Sequence, residues 1–214
     1  NFAQMTIGVL KESGDQRVAL IPENVAALLK LNVEKILVEK DAGATAFYLD
    51  ADYTAQGAEV ADRGTVISGS DVILMVTPAD DLASIPSDKI LIGGLNPLMN
   101  KEVVQQLASQ KTTSFSLEVI PRTTRAQAMD ILSSMATVAG YKAVLTAASN
   151  LPGFFPMFMT AAGSITPSKV LIMGAGVAGL QAIATAKRLG AVVHAFDVRA
   201  AAKEEVFSLS LIHI

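Results

Sequence analysis

Cysteine is absent from this 214-residue sequence, which excludes disulfides, zinc–thiolate sites and thiol nucleophiles. The sequence also lacks an Asn-x-Ser/Thr sequon and an N-terminal signal of positive charge followed by an apolar run. No stretch holds the roughly 18–20 uninterrupted apolar residues of a spanning helix, since prolines and glycines interrupt the segment 151–165. We therefore expect a globular chain outside the membrane, in a reducing, cytosol-like compartment.

Charge is scarce and gives no indication of a nucleic-acid partner, because the formal net charge is −3. Residues 1–125 carry 11 Lys/Arg and 16 Asp/Glu, whereas residues 126–214 carry 6 and 4. This asymmetry is compatible with chance or with a phosphate-binding second half. Hydrophobic residues are abundant at 51%, and the Ala, Val and Ile among them are typical of strands buried on both faces of a parallel sheet.

Strand and helix signals alternate through the first 125 residues. Pro22 predicts the start of one helix, and Asn100 predicts the cap of another. Such alternation implies parallel pairing in a doubly wound sheet, so residues 1–125 are expected to form one α/β domain. Short apolar runs predict its strands at 6–10, 35–38, 71–76, 89–92 and 113–117.

The segment 126–166 is expected to connect this domain to the next. Residues 126–150 are rich in Ala, Met and Leu and predict one long helix. Residues 151–166 contain two prolines and Gly163 and predict a linker with a short helix.

A glycine motif follows the apolar strand predicted at 170–173. Gly174, Gly176 and Gly179 form the pattern G-x-G-x-x-G at the start of a predicted helix. Asp197 ends the next predicted strand, roughly 20 residues further on, as a dinucleotide fold requires. The fold class is therefore expected to be α/β, with two Rossmann-like doubly wound parallel-sheet domains, the second truncated and covering residues 167–214.

Each member of this motif has a chemical reason. Gly174 permits a tight turn, Gly176 lets the backbone approach a pyrophosphate, and Gly179 lets helix and strand pack closely. Backbone N–H groups at the helix start favour anionic phosphates. Asp197 can accept hydrogen bonds from both ribose hydroxyls and repels a 2′-phosphate, which favours NAD over NADP. Arg199 weakens this inference, because an arginine can bind a 2′-phosphate. The alternative is a βαβ unit whose glycines serve packing only.

Several segments resemble the NAD(H)-binding alpha subunit of proton-translocating transhydrogenases. The resemblance runs from about residue 5 to 206, and alanine dehydrogenases share the fold and the opening motif. The segments that carry it are GVLKE at 8–12, RVALIP at 17–22, PRTTRAQAMDILSSMATVAGY at 121–141, GAGVAGLQAIATAKRLG at 174–190 and DVRAA at 197–201.

The resemblance implies a water-soluble component that binds NAD(H) and exchanges hydride with NADP(H) on a partner component, coupled to proton translocation through a membrane component. It also implies a homodimer at the cytoplasmic face of the inner (plasma) membrane, or on the matrix side of a mitochondrion. No metal is expected. We expect the 214-residue chain to be a fragment, inactive alone, because it holds two strands of a cofactor sheet that has about six.

The resemblance also implies which residues bind the cofactor. In the family, the loop that corresponds to 121–125 contacts the nicotinamide end. Gln127, Asp130 and Ser133 are spaced by three, so a helix would present them on one face, where they could orient the nicotinamide; a capped helix start with a solvated polar face is the alternative. The expected cofactor-binding set is Arg122, Thr123, Thr124, Arg125, Gln127, Asp130, Ser133, Gly174, Gly176, Val177, Ala178, Gly179, Asp197, Val198 and Arg199.

No catalytic side chain is expected, since hydride transfer between two dinucleotides needs positioning rather than an acid or base. Two other functions stay open: an alanine-dehydrogenase-like amino-acid dehydrogenase, and a non-catalytic NAD-binding regulatory module. Alanine dehydrogenases use a lysine and a histidine for proton handling. By resemblance these would fall within 75–78 and 93–95, where this sequence has Thr77 and Gly94 instead, although the substrate-binding Arg17 is retained.

An alanine assay separates the first two functions. We expect no alanine-dependent production of NADH by the full-length protein, because the proton-handling groups are missing at both positions. Absorbance at 340 nm with alanine and NAD measures this directly. Robust turnover would overturn the interpretation of Thr77 and Gly94.

Overall fold

The computed structural model describes residues 5–121 and 123–210. The chain forms two compact units, which divide between Met129 and Asp130. The first unit contains strands β1 (Thr6–Val9), β2 (Lys35–Glu39), β3 (Glu59–Ala61), β4 (Val72–Met75), β5 (Ile90–Gly93) and β6 (Thr113–Ser116), with helices α1 (Pro22–Leu29), α2 (Asp50–Ala55), α3 (Arg63–Gly69) and α4 (Lys101–Ser109).

The six strands of the first unit form one parallel sheet in the order β3-β2-β1-β4-β5-β6. Gly8 of β1 lies opposite Leu37 of β2 on one side and Ile73 of β4 on the other. The chain builds outward from β1 to β3 and then crosses back to β4. The topological switch point therefore lies between β1 and β4, and the α/β class with parallel pairing is confirmed.

Both faces of the central strands of this sheet are buried, which explains their nearly continuous apolar sequences. Ile7 and Val9 of β1 belong to one core cluster, which includes Val25 of α1 and Tyr53 of α2. Leu37 of β2 points to the opposite face, into a second cluster with side chains of α3 and α4. The two clusters make the sheet doubly wound.

Three elements of the first unit were not predicted from the sequence: α2, β3 and α3. Strand β3 has three residues at the sheet edge, none of them buried, so its pattern holds no apolar run. Helix α3 is short and is capped by Asp62, whose carboxylate accepts a hydrogen bond from the Thr65 amide at 3.0 Å. The predicted helix starts at Pro22 and Asn100 are confirmed.

The segment after the first sheet differs from the prediction of one long helix over 126–150. Residues Thr124–Met129 form a 3-10 helix, and α5 (Ile131–Asn150) begins only after Asp130. Asp130 has an extended backbone with ψ of 92°, which interrupts the helical hydrogen bonds. The predicted linker with a short helix is also partly wrong. A β-hairpin of β7 (Phe158–Thr160) and β8 (Gly163–Ile165) turns through Ala161 and Ala162, and Gly163, the first residue of β8, has φ of +131°.

The second unit adds a two-stranded parallel sheet to α5. It is formed by β9 (Lys169–Met173) and β10 (Val192–Phe196), with α6 (Val177–Arg188) between them and α7 (Ala202–Ser210) after them. Gly190, with φ of +88°, ends α6 as predicted. One face of this sheet packs on α5 and α6, whereas the other exposes large side chains, including Leu171, Met173 and Phe196.

Among the described residues, only α5 is long and apolar enough to cross a membrane by length and composition. The sequence criterion of an uninterrupted run misses this helix because Ser, Thr and Lys residues divide it. Such a helix is weak evidence for a span, since core helices pass the same test. Val144 of α5 packs with Ala182 and Ala186 of α6, so α5 uses a narrow face for packing and exposes most of its apolar surface.

Tyr53 tests the core of the first unit. Its ring is fully buried, and its hydroxyl donates a hydrogen bond to the Leu20 carbonyl at 2.8 Å. Tyr53→Phe should lower the free energy of unfolding by about 1 kcal/mol, because the buried carbonyl loses its donor. Urea unfolding at pH 7 measures this change.

Burial also raises the pKa of the Tyr53 phenol to about 12. The folded state therefore retains the proton more tightly than the unfolded state, and this contribution to stability is complete below about pH 10 and is lost as the pH rises towards 12. The stability difference between the native protein and Tyr53→Phe should shrink over that interval. A difference that grows with pH would contradict the assignment.

Candidate dinucleotide-binding site

The glycine turn joins β9 to α6 and requires glycine at two positions for different reasons. Gly174 has φ of +96°, a conformation that side chains disfavour. A Cβ at Gly179 would stand well inside van der Waals contact of the Gly174 carbonyl oxygen. The turn is therefore tight, and the first turn of α6 is pressed against it.

Gly176 caps the head of α6 and faces open space. Apart from its chain neighbours, no described heavy atom lies within 4 Å of an ideal Cβ at this position. Its φ of −77° is available to any residue, so the backbone itself does not demand glycine there. The cap supplies no side chain to the N–H groups at the start of α6, next to Val177 and Ala178. A ligand can approach this backbone closely.

Asp197 follows β10 and is tied to the same turn. Its Oδ2 accepts a hydrogen bond from the Ala175 amide at 2.7 Å, and its Oδ1 accepts one from the Arg199 amide at 2.8 Å. The Gly174 amide donates to the Phe196 carbonyl at 2.7 Å, so backbone and side-chain contacts join the ends of β9 and β10. The acidic residue therefore stands beside the glycine turn, as its spacing in the sequence predicts.

Arg199 holds the same carboxylate with its side chain. Its Nε lies 3.1 Å from Oδ1 and its Nη2 lies 3.2 Å from Oδ2 of Asp197. Nη2 also lies 3.3 Å from the Ala175 carbonyl oxygen. These side-chain hydrogen bonds, with the amides of Arg199 and Ala175, lower the pKa of Asp197 far below its ordinary value. The carboxylate is ionised at neutral pH.

The residues predicted for the nicotinamide end occupy different elements. Arg122 lies outside the described residues. Thr123, Thr124 and Arg125 are exposed, and the Thr123 amide donates to the Pro121 carbonyl at 2.8 Å. Gln127 is exposed on the 3-10 helix of the first unit, so the prediction that it shares one helix face with Asp130 and Ser133 is wrong.

Asp130 and Ser133 form the cap of α5. The Asp130 carboxylate accepts hydrogen bonds from the Ser133 amide at 2.9 Å and from its hydroxyl at 2.7 Å. This geometry satisfies an N–H group that the helix leaves unpaired. Asp130 and Ser133 therefore form the capped helix start that is the alternative interpretation of their sequence pattern. That they also orient a nicotinamide stays a prediction.

Polar side chains at the carboxyl edge of the first sheet bind one another and the neighbouring backbone. At the switch point the Glu12 carboxylate accepts hydrogen bonds from the amides of Val76 and Thr77 at 2.6 and 3.0 Å, and from the Thr77 hydroxyl at 2.7 Å. Nearby, Arg63 pairs with Glu39 at 2.7 Å and with Asp81 at 2.6 Å. Arg63 thus neutralises two carboxylates from different elements at this edge.

The positions that would carry amino-acid dehydrogenase chemistry are also occupied or crowded. A Cβ at Gly94 would lie 2.5 Å from the Val76 carbonyl oxygen, so this backbone has no room for a histidine there. The Arg17 guanidinium pairs with Asp15, with Nη2 and Oδ2 2.6 Å apart. Arg17 therefore has a structural partner in this chain.

Two residues at the dinucleotide turn were not predicted from the sequence. Ala175 is fully buried and anchors Asp197 through its amide, a role that any residue type provides and that leaves no sequence signal. Gly140 lies where α5 crosses α6, and a Cβ there would clash with the Ala178 carbonyl oxygen. A glycine inside a helical pattern was the available signal for that contact.

Strand, glycine turn, helix, strand and acidic residue together define the opening of a Rossmann-type nucleotide-binding domain. The profile described as "Alanine dehydrogenase/PNT, N-terminal domain" matches residues 8–139, and that of the C-terminal domain matches residues 143–213. The chain belongs to the alanine dehydrogenase/PNT family.

Curated relatives come from both branches of this family, and those named as transhydrogenases share more of the sequence. The chain is 46% identical to a protein of Rhodospirillum rubrum that is named as the first part of "NAD(P) transhydrogenase subunit alpha", over 215 aligned residues, which cover 96% of this chain and 56% of the relative. The protein of the same name from Rickettsia prowazekii is 44% identical, with the same coverage. "Alanine dehydrogenase 2" of Staphylococcus aureus is 31% identical, over 91% of this chain and 53% of the relative. The chain thus spans about half the length of these relatives.

Among solved structures, too, a transhydrogenase is more similar to this chain than an alanine dehydrogenase is. A transhydrogenase from Sinorhizobium meliloti superposes with a TM-score of 0.90 at 44% identity, over 96% of this chain and 62% of that one. An L-alanine dehydrogenase superposes with a TM-score of 0.83 at 28% identity, over 96% and 58%. The predicted family and fold class are confirmed.

Two glycines at the first turn of α6 are expected to be necessary for stability, because a Cβ at either would meet a backbone carbonyl. Gly179→Ala and Gly140→Ala should each lower the free energy of unfolding of the second unit by about 2 kcal/mol, because the added methyl group meets a backbone carbonyl. Urea unfolding measures the change. Gly176→Ala makes the same chemical change in open space and is the matched control; equal losses in all three variants would contradict the steric explanation.

Proposed function

We propose that this chain forms part of the NAD(H)-binding component of a transhydrogenase, which exchanges hydride between NAD(H) and NADP(H) in a reaction coupled to proton translocation. The observation that carries the proposal is the open glycine turn at the head of α6 with the Asp197 carboxylate fastened beside it. The relatives named as transhydrogenase alpha subunits support it.

The pyrophosphate is assigned to the turn. Gly176 leaves room above the backbone, and the N–H groups at the start of α6 are directed along the helix axis towards it. Together they carry the equivalent of about half a positive charge. Gly174, Val177, Ala178 and Gly179 complete the proposed phosphate-binding segment.

The adenosine ribose is assigned to Asp197. Its carboxylate stands next to the turn and is ionised, so it can accept hydrogen bonds from the 2′ and 3′ hydroxyls. A 2′-phosphate would meet this negative charge, which favours NAD(H). Val198 and Arg199, which follow directly, complete the adenosine end of the proposed site.

The nicotinamide end is assigned to the segment 122–133. When bound, the nicotinamide ring donates or accepts the hydride, and the chain supplies orientation and exclusion of water. Asp130 and Ser133 are ordered by their mutual hydrogen bonds and offer oxygen acceptors in a fixed position. The other residues proposed for this end are Arg122, Thr123, Thr124, Arg125 and Gln127.

The proposed partners are an NADP(H)-binding component, a membrane component and a second copy of this component. The word "subunit" in the names of the relatives supports an assembly. We place the complex at the cytoplasmic face of the inner (plasma) membrane, or on the matrix side of a mitochondrion. The exposed apolar side chains of α5 and of the second sheet are compatible with burial in a larger protein.

An alanine-dehydrogenase-like activity is the second candidate, supported by the structural likeness to L-alanine dehydrogenase. The first sheet argues against it. Gly94 has no room for a side chain, and the Thr77 hydroxyl is committed to Glu12. The first domain of this chain therefore offers no group at these positions to move a proton.

Gly176→Ala tests the proposal without disturbing the fold. In the full-length protein this variant should keep its thermal stability but bind NADH at least about tenfold more weakly, a loss of about 1.4 kcal/mol, because the methyl group fills the space assigned to the pyrophosphate. Isothermal titration measures the affinity. Gly153→Ala, in an exposed loop of the same unit with only ordinary contacts, is the matched control and should bind normally.

The reaction is tested by adding the NADP(H)-binding component. The unsubstituted protein should bind NADH more tightly than NADPH and should exchange hydride only in the presence of that component. NADH binding with no exchange would favour a regulatory module. Equal affinity for NADPH, or unchanged NADH binding by Gly176→Ala, would overturn the assigned site.

A further inference from the structure

The side chain of Arg199 reaches both oxygens of Asp197 at once. Nε lies 3.1 Å from Oδ1 and Nη2 lies 3.2 Å from Oδ2. The two hydroxyls of a ribose present the same pattern to a carboxylate, with two neighbouring donors and one directed at each oxygen. The guanidinium therefore occupies the acceptors that the adenosine ribose would use.

We propose that Arg199 is a displaceable occupant of the ribose site, which pairs with Asp197 in the absence of nucleotide and leaves when the 2′ and 3′ hydroxyls bind. This inference rests on the proposed function and assigns a specific role to one residue of the site. Arg199 then sets affinity by competing with the ribose, rather than by serving a 2′-phosphate.

The carboxylate of Asp197 has no acceptor position left for a ribose, so the ribose hydroxyls must replace hydrogen-bond donors that are already bound. A carboxylate has about four acceptor positions. Four nitrogens already approach them: the amides of Ala175 and Arg199, and the two side-chain nitrogens of Arg199. Two ribose hydroxyls can bind only if two of these donors withdraw.

The side-chain donors are the pair that can withdraw. The amides of Ala175 and Arg199 bind at 2.7 and 2.8 Å and belong to the backbone of the turn. The guanidinium contacts are longer than the roughly 2.7–2.9 Å of strong charge-assisted hydrogen bonds. The Arg199 side chain is also 57% exposed, so water compensates its departure. The amides keep the carboxylate in place for the ribose.

The test compares two nucleotides on the full-length protein. Arg199→Met should bind ADP about two- to fivefold more tightly than the unsubstituted protein, the range expected for loss of a competing exposed ion pair. It should bind 2′,3′-dideoxy-ADP with unchanged affinity, because that nucleotide has no hydroxyls to displace the guanidinium. Isothermal titration of both ligands measures the difference.

Two further variants keep the result interpretable. Arg188→Met removes the same charge at the far end of α6 and should change neither affinity. Arg199→Lys keeps the charge but cannot bridge both oxygens, and should also bind ADP more tightly than the unsubstituted protein. Unchanged or weaker ADP binding by Arg199→Met, or an equal change for both nucleotides, overturns this inference alone. If the unsubstituted protein binds neither ADP nor NADH, the proposed function fails and this inference fails with it.

Discussion

The hydrogen bond from the Ala175 amide to the Asp197 carboxylate is the contact on which the candidate site depends. It joins the end of β9 to the end of β10, so the acidic residue is held beside the glycine turn. The positive φ of Gly174 aims the Ala175 amide, and the missing side chain of Gly179 lets α6 begin directly behind it. Gly140 of α5 supports α6 from the other side.

Both units are built from parallel strands joined by helices, but they differ in what occupies the backbone N–H groups at the carboxyl ends of the strands. In the first unit both faces of the central strands are covered, and Glu12 accepts hydrogen bonds from the Val76 and Thr77 amides at the switch point. In the second unit the head of α6 is open at Gly176, and no side chain caps it. An internal carboxylate thus binds the backbone amides at the carboxyl edge of one unit, whereas the head of α6 in the other unit is open, and there we propose that the pyrophosphate binds. This contrast concentrates the proposed chemistry in the second unit.

Prediction from sequence worked where burial imposes a strong pattern. Strands buried on both faces, such as β1 and β4, read as apolar runs, and proline and asparagine marked helix starts correctly. It failed where burial leaves no strong pattern: the edge strand β3 has no fully buried residue, and the hairpin of β7 and β8 is exposed on both strands. The break at Asp130 was missed because Ala- and Met-rich sequence continues smoothly across it.

By itself the sequence determined the turn, the helix start and the acidic residue, since G-x-G-x-x-G with an aspartate at that spacing is set by local sterics and by strand length. Only the tertiary structure decided what those residues contact. The hydrogen bond from the Ala175 amide to Asp197 and the crossing of α5 over α6 at Gly140 join residues far apart in the chain. Side-chain type does not encode such contacts, because a backbone amide is common to almost every residue.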